Sequence, residues 1–333
     1  MNVVTYLTNQ AVLNGRRITA YLKQPLVARR ARLAVTALTI GYLVTIIAVG
    51  VGALQATNWT PYVTGVLIGF ALYPASVVVQ ALAWALAVGF LRRLDWEFSW
   101  RDIQAFALSY MLRRLPGGIW QVTGRVVTYR GQNVHASQPI TASVAELGLS
   151  TIAAGSLYIG FGLLHDLGTE TDVVVALVVT GIAGAIIGQI LARAPWIRRE
   201  SAILGKLNRG SVVYVAIGLL YLTGYAVASC ILYYMVLAGG SAHFSLGEAA
   251  GVWGLTSLIS TVILLVPVGM GIREVTLTVL LSPVTGRVEA VVVAILLRLL
   301  FIAGDLAWGA ALVAGANWVA SARFRNGGQN ERD

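Results

Sequence analysis

Long apolar stretches separated by short polar intervals dominate the chain. They predict membrane-spanning helices at about Leu33 to Gln55, Tyr62 to Leu91, Ile140 to Leu164, Val173 to Ala194, Val212 to Ala238 and Val288 to Val319. Each reaches or exceeds the ~20 residues that cross a hydrocarbon core. The second is long enough to tilt or to bend at Pro74. Two regions depart from this pattern. Within 92–138, Ile103 to Leu115 and Ile119 to Tyr129 read as short helices separated by Pro116-Gly117-Gly118. Leu246 to Val266 and Gly271 to Leu281 are separated by Pro267-Val268-Gly269-Met270-Gly271. The first pair reads as a surface loop or as a re-entrant hairpin, since each piece falls below the ~17 residues of a full crossing. A re-entrant break is tolerated only where protein or water shields the freed backbone.

The order of elements repeats. Each half reads span, span, broken pair, span. A glycine, Gly131 or Gly286, follows each broken pair, and a long apolar helix with one interior charge comes next, Glu146 or Arg298. Three full crossings per half is an odd number, so the second copy enters the membrane upside down. The expected fold is an all-α polytopic membrane protein. It has six full spans and two broken or re-entrant hairpins in an inverted repeat, or eight spans if 246–266 and 269–286 each cross fully. The expected organisation is a basic arm at 1–32, repeats at 33–165 and 172–319, and a tail at 320–333. The arm reads either as an interfacial helix or as a disordered tail.

Composition agrees: 57% of residues are hydrophobic and 11% charged, against about 25% charged in soluble domains. The net charge of +10 is organised by topology. All of the 24 Lys and Arg except Arg273, Arg287 and Arg298 fall in the arm, 92–138, 193–210 and the tail; the intervals 56–61, 165–172 and 238–247 hold none. That bias places both termini in the cytoplasm of a cell-membrane protein. No basic run interleaves with aromatics, so nucleic acid is not an expected partner. Cys230, the one cysteine, lies in an apolar helix and reads as packing.

Few residues carry chemistry. A charge at mid-span costs roughly 2.5–3.5 kcal/mol and has to face protein or water. Glu146 therefore reads as a proton or headgroup partner, or as half of an ion pair, with Arg298 a possible other half. Arg298 and Asp305 lie two helical turns apart on one face, too far to touch, so a third group would link them. Arg298 suits a phosphate through its planar fork; the alternative is a buried pair. Arg273 follows Gly269-x-Gly271 at a helix start, where backbone N–H groups favour anions, and Glu274 complements the same turn. Arg113 and Arg114 read as anchors at the headgroups and Arg125 as a substrate contact. Trp120, Trp253 and Trp308 read as packing or interface residues. His135, His165 and His243 are too scattered for a metal site. Without a Ser-His-Asp set, a Walker loop or a paired-carboxylate pattern, neither an enzyme nor a cofactor is expected.

These motifs resemble those of the transmembrane region of lysyl-phosphatidylglycerol synthases, the flippase half of the multiple peptide resistance factor, over about residues 30–318. The family pattern Pro-Gly-Gly-Val-Gly-Gly-Asp-x-x-Arg falls on Pro116, Gly117, Gly118, Ile119 and Arg125; Trp120, Gln121 and Val122 stand where the family has Gly-Gly-Asp. The pattern Pro-Gly-Gly-Leu-Gly-Val-Arg-Glu falls on Pro267, Gly269, Met270, Gly271, Ile272, Arg273 and Glu274. Gly131, Glu146 and Arg298 also match. No soluble aminoacyl-transferase domain is expected after residue 319, so the resemblance implies lipid translocation and not lipid aminoacylation. The expected activity is flippase-like transport of an anionic or zwitterionic phospholipid, or of a polyprenyl-linked intermediate, recognised by its phosphate headgroup. Two alternatives stand beside it. One is an integral-membrane lipid or glycolipid transferase with Glu146 as base. The other is a non-catalytic partner in a lipid or polysaccharide pathway, alone or as a homo-oligomer.

Overall fold

A computed structural model of the chain describes residues 58–91, 100–112, 119–129, 137–163, 169–193, 207–264 and 272–327. All of them belong to one compact unit that begins at Ala53. The span at 33–55, the arm at 1–32 and both Pro-Gly motifs lie outside the described residues.

The described secondary structure is helical throughout. In chain order the helices are α1 (Thr60–Leu91), α2 (Trp100–Leu112), α3 (Ile119–Thr128), α4 (Ser137–Leu157), α5 (Thr169–Arg193), α6 (Leu207–Ala238), α7 (Leu246–Leu264), α8 (Ile272–Thr285) and α9 (Arg287–Gly327). A π-helical stretch, Tyr158–Leu163, prolongs α4. Four of them contain segments long and apolar enough to cross a membrane: Thr60–Phe90, Gln138–Leu163, Val212–Ala238 and Arg287–Gly315. This is a helical, membrane-embedded protein. Its outward surface is correspondingly apolar, with Val63, Leu67, Val144, Val178, Ile182 and Leu299 all exposed, as expected where lipid is the solvent.

Local sequence accounts for the helix boundaries. Asn58 Oδ1 accepts the Thr60 N–H at 3.2 Å and caps α1. A reciprocal capping box opens α7: Ser245 N donates to Glu248 Oε2 at 2.7 Å, and Glu248 N donates to Ser245 Oγ at 3.2 Å. Between α8 and α9 the chain turns at Gly286, whose φ of 84° lies in the left-handed region. Pro74 sits inside α1 without ending it.

Small residues let the helices approach closely. A Cβ on Gly65 would lie 3.1 Å from the Tyr234 carbonyl of α6, and one on Gly69 would strike Leu300 and Ile231. These two glycines seat α1 on α6, and Ser76 Oγ crosses the seam to the Gly224 carbonyl at 3.2 Å. Around this central pair, α2 packs on α3, α1 and α9, while α7 packs on α8, α6 and α4. Helix α3 packs on α4, and α8 on α9. Helices α4 and α9 each lie against both α1 and α6. Helix α5 packs on α4 and α6.

Candidate functional site

The first turn of α8 carries Arg273 and Glu274 toward α9. Arg298 of α9 donates from Nη1 to Glu274 Oε1 at 2.6 Å. Both side chains are mostly covered, 26% and 11% exposed, so the pair is partly open and not sealed. The Arg273 guanidinium lies 4.1 Å from the ring centre of Trp253 on α7 and 5.4 Å from that of Phe301 on α9. Such stacking is worth roughly 2 kcal/mol where the cation is desolvated. The three charged side chains and the two aromatics line a cleft of about 20 Å³, room for little more than one water-sized group.

The corresponding place beside α3 is closed. Arg125 is fully buried. Its Nε donates to Ser109 Oγ of α2 at 3.0 Å, and its Nη1 donates to Ser143 Oγ of α4 at 3.1 Å and to Glu146 Oε2 of the same helix. The guanidinium lies 3.6 Å from the centre of the Trp84 ring of α1, with Phe106 of α2 at 5.9 Å. Behind it, Trp84 Nε1 donates to Tyr129 Oη at 3.3 Å, and Tyr129 donates to Asp102 Oδ1 at 2.8 Å. Carboxylate, hydroxyls and a π-face replace water on several sides of this cation.

Asp305 is also fully buried. It accepts a hydrogen bond from Tyr73 of α1, whose hydroxyl lies 3.4 Å from that of Tyr110 on α2. Among the described residues no group of three or more metal-ligating side chains occurs.

The structure thus distributes the sequence-derived candidates over three places. Arg273, Glu274 and Arg298 come together at the α7–α8–α9 cleft. Arg125 and Glu146 form their own pair at α3–α4, so the partner of Glu146 is Arg125 and not Arg298. Asp305, on the helix of Arg298, binds Tyr73, and the two charges serve different partners. Pro116, Gly117, Gly118, Pro267, Gly269 and Gly271 lie outside the described residues, between α2 and α3 and between α7 and α8. Trp253 is buried packing, as its apolar surroundings predict, and it also faces a cation. Ser109, Ser143 and Trp84 had no signal in the sequence, because spacing along one helix does not reveal what a neighbouring helix presents. Tyr73 and Tyr110 escaped for the same reason. No protein-family model, characterised protein or solved structure matches the chain.

Proposed function

We propose that the protein is a flippase-like carrier for a lipid with a phosphate headgroup in the cell membrane, with both termini cytoplasmic. The observation that carries this reading is the α7–α8–α9 cleft. It sets two arginines around one glutamate between apolar helices, partly open, where a charge is expensive unless it serves a ligand or a pathway. Arg273 and Arg298 would clamp the phosphate, and Trp253 and Phe301 would hold the first guanidinium in place. A cleft of about 20 Å³ does not admit a whole headgroup, so binding widens it, and motion of α8 against α9 becomes part of transport.

The packing supports an inverted repeat. Exchange α1 with α6, α2 with α7, α3 with α8 and α4 with α9, and the packing pairs among these eight helices map onto one another. The chemistry follows the same exchange. An arginine on α3 or α8 stacks on an aromatic of α2 or α7, and an ion pair links α3 to α4 or α8 to α9. On this reading the chain has six crossings and two broken hairpins in an inverted repeat. The excess of Lys and Arg on one side sets the orientation. Resemblance to the flippase half of the multiple peptide resistance factor points to the same activity.

The test is a flip assay in proteoliposomes with fluorescent phosphatidylglycerol, read by dithionite quenching. Wild type exchanges label between leaflets above protein-free vesicles. Arg273→Ala with Arg298→Ala lowers the rate by about tenfold or more, the loss of two charge-assisted bonds. An unchanged rate in that variant removes the site; equal rates in wild-type and empty vesicles remove the activity.

A further inference from the structure

The enclosed cluster around Arg125 holds two polar groups that its ion pair does not use. Arg125 is fully buried, yet its Nη2 meets no hydrogen-bond partner among the described residues. The Ser109 and Ser143 hydroxyls give their own protons to the Phe106 and Pro139 carbonyls, so they stay with the guanidinium as fixed acceptors. Glu146 is less sealed, 12% exposed where Arg125 is 0%. The Tyr221 hydroxyl of α6 lies in the field of both charges and closes no hydrogen bond with either. A buried donor left unmatched is costly, and a pair kept for stability alone gains nothing from it.

Helices α1, α3, α5, α6 and α7 pack on α4. From α3 the group facing Glu146 is Arg125, and from α6 it is Tyr221, with Tyr225 beside it. The remaining ionisable side chains of these helices are engaged elsewhere: Tyr62 with Glu289, Tyr73 with Asp305, Glu248 in its capping box, Tyr214 against Phe90 and Tyr233 against Tyr234. Glu170, Asp172, Arg193 and Arg209 belong to the end turns of α5 and α6, Cys230 lies further along α6, and Tyr158 opens the π-helical stretch beyond α4.

The two neighbours of Glu146 suit different protonation states. A guanidinium only donates and is matched by the ionised carboxylate. A phenol hydroxyl donates to a carboxylate and accepts from a carboxylic acid, so Tyr221 serves both forms. With Glu146 neutral, Arg125 loses its countercharge, and a buried cation then needs another anion; Nη2 is the donor positioned to take it. Under the exchange of halves Arg125 stands where Arg273 stands in the cleft. We infer that Glu146 is the proton site of the carrier: it binds a proton as the negative headgroup takes its place on Arg125, so that lipid and proton move together, one proton for each negative charge. The inference rests on the transport reading above and deepens it. The proton enters from water at the exposed edge of Glu146 and returns to water when Glu146 pairs with Arg125 again. Only an O–H bond forms and breaks.

The experiment is calorimetry of the full-length, detergent-purified protein with dihexanoyl phosphatidylglycerol, in two buffers of different ionisation enthalpy, so that the heats count protons. Wild type takes up about one proton per lipid, and by reciprocity its affinity falls about tenfold from pH 7 to pH 8. Glu146→Gln, fixed in the neutral form, takes up none and binds alike at both pH values. Glu146→Asp keeps the wild-type count. Tyr221→Phe, which keeps the ring, weakens binding by about threefold to tenfold. Sulfate serves as the anion without acyl chains. In phosphatidylcholine vesicles, an interior one pH unit more alkaline than the exterior draws trace fluorescent phosphatidylglycerol to the inner leaflet through wild type, toward a ratio of about ten for one proton per lipid. Protein-free vesicles give the baseline. Binding by wild type without proton uptake, or label that exchanges yet stays evenly spread under the gradient, overturns the inference and leaves the transport reading standing. These wild-type results decide even where Glu146→Gln does not fold. Proton uptake that survives Glu146→Gln overturns the assignment to Glu146, and unchanged affinity in Tyr221→Phe overturns the part given to its hydroxyl. Sulfate bound as tightly as the lipid, with the same proton count, overturns the lipid assignment. A wild type that neither binds nor moves the lipid overturns this inference together with the reading it rests on.

Discussion

Arg125 and Arg298 show how one residue type does two things in one membrane protein. Arg125 is enclosed, with Ser109, Ser143 and Glu146 accepting from it and Trp84 against its face. Arg298 is 26% exposed and binds one carboxylate. Removing one member of an enclosed pair strands the other, at about 3–5 kcal/mol. Arg125→Leu is therefore expected to lower the thermal unfolding midpoint in detergent strongly, and Arg125→Leu with Glu146→Leu to recover much of the loss. A double variant as unstable as the single one would show that the hydroxyls and the Trp84 face, more than the carboxylate, hold the arginine. At Arg298 the expectation differs: Arg298→Gln shifts the midpoint by less than Arg125→Leu does and acts mainly on flip rate. Much of this was legible at the level of residue type. A charge inside an apolar stretch has to have a partner, and Glu146 and Arg298 stood out for that reason, Asp305 for sharing a face with Arg298, and Arg273 for its place at a helix start after Gly269-x-Gly271. The identity of each partner was not legible, since Glu146 meets a residue 21 positions earlier and Asp305 meets one from a helix 232 positions away.

At the scale of the element, glycine decides which helices touch. The α7 surface that meets α4 carries Gly251 and Gly254. A Cβ on Gly254 would sit 2.7 Å from the Ala154 carbonyl oxygen and 2.8 Å from the Tyr158 nitrogen, both backbone atoms of the facing helix. Gly254→Ala thus has to push two helices apart, with an expected loss of about 1–3 kcal/mol. Gly155→Ala is the matched control. It meets nothing closer than 3.9 Å, and replacing glycine within a helix gains up to about 1 kcal/mol. Unfolding midpoints of the two variants in one detergent check both; similar shifts would mean that the seam yields easily. Hydropathy reveals spans because apolar length is what the bilayer requires. It conveys nothing of which glycine abuts which helix, and the π-helical turn at Tyr158–Leu163 carried no mark in the sequence. At that turn Gly162 and Gly251 pass closely: a Cβ on Gly251 would lie 3.0 Å from the Gly162 Cα.

For the whole molecule, apolar length anticipated the all-helical, membrane-embedded class and the long apolar helices among the described residues, while α6 begins five residues before, and α9 ends eight residues beyond, the stretches that hydropathy marks. The packing scheme was beyond it: α2 lies on α9 and α7 on α4. This crossed arrangement has a consequence for helix α9. It runs from Arg287 to Gly327, 41 residues, or about 60 Å, roughly twice the thickness of the hydrocarbon. Its apolar segment ends at Gly315, and a further dozen residues, about 18 Å of helix, continue beyond. Nearer its start, the same rod bears against α8 and α2. A small tilt imposed on it by either is thereby magnified at the far tip, like the needle of a gauge.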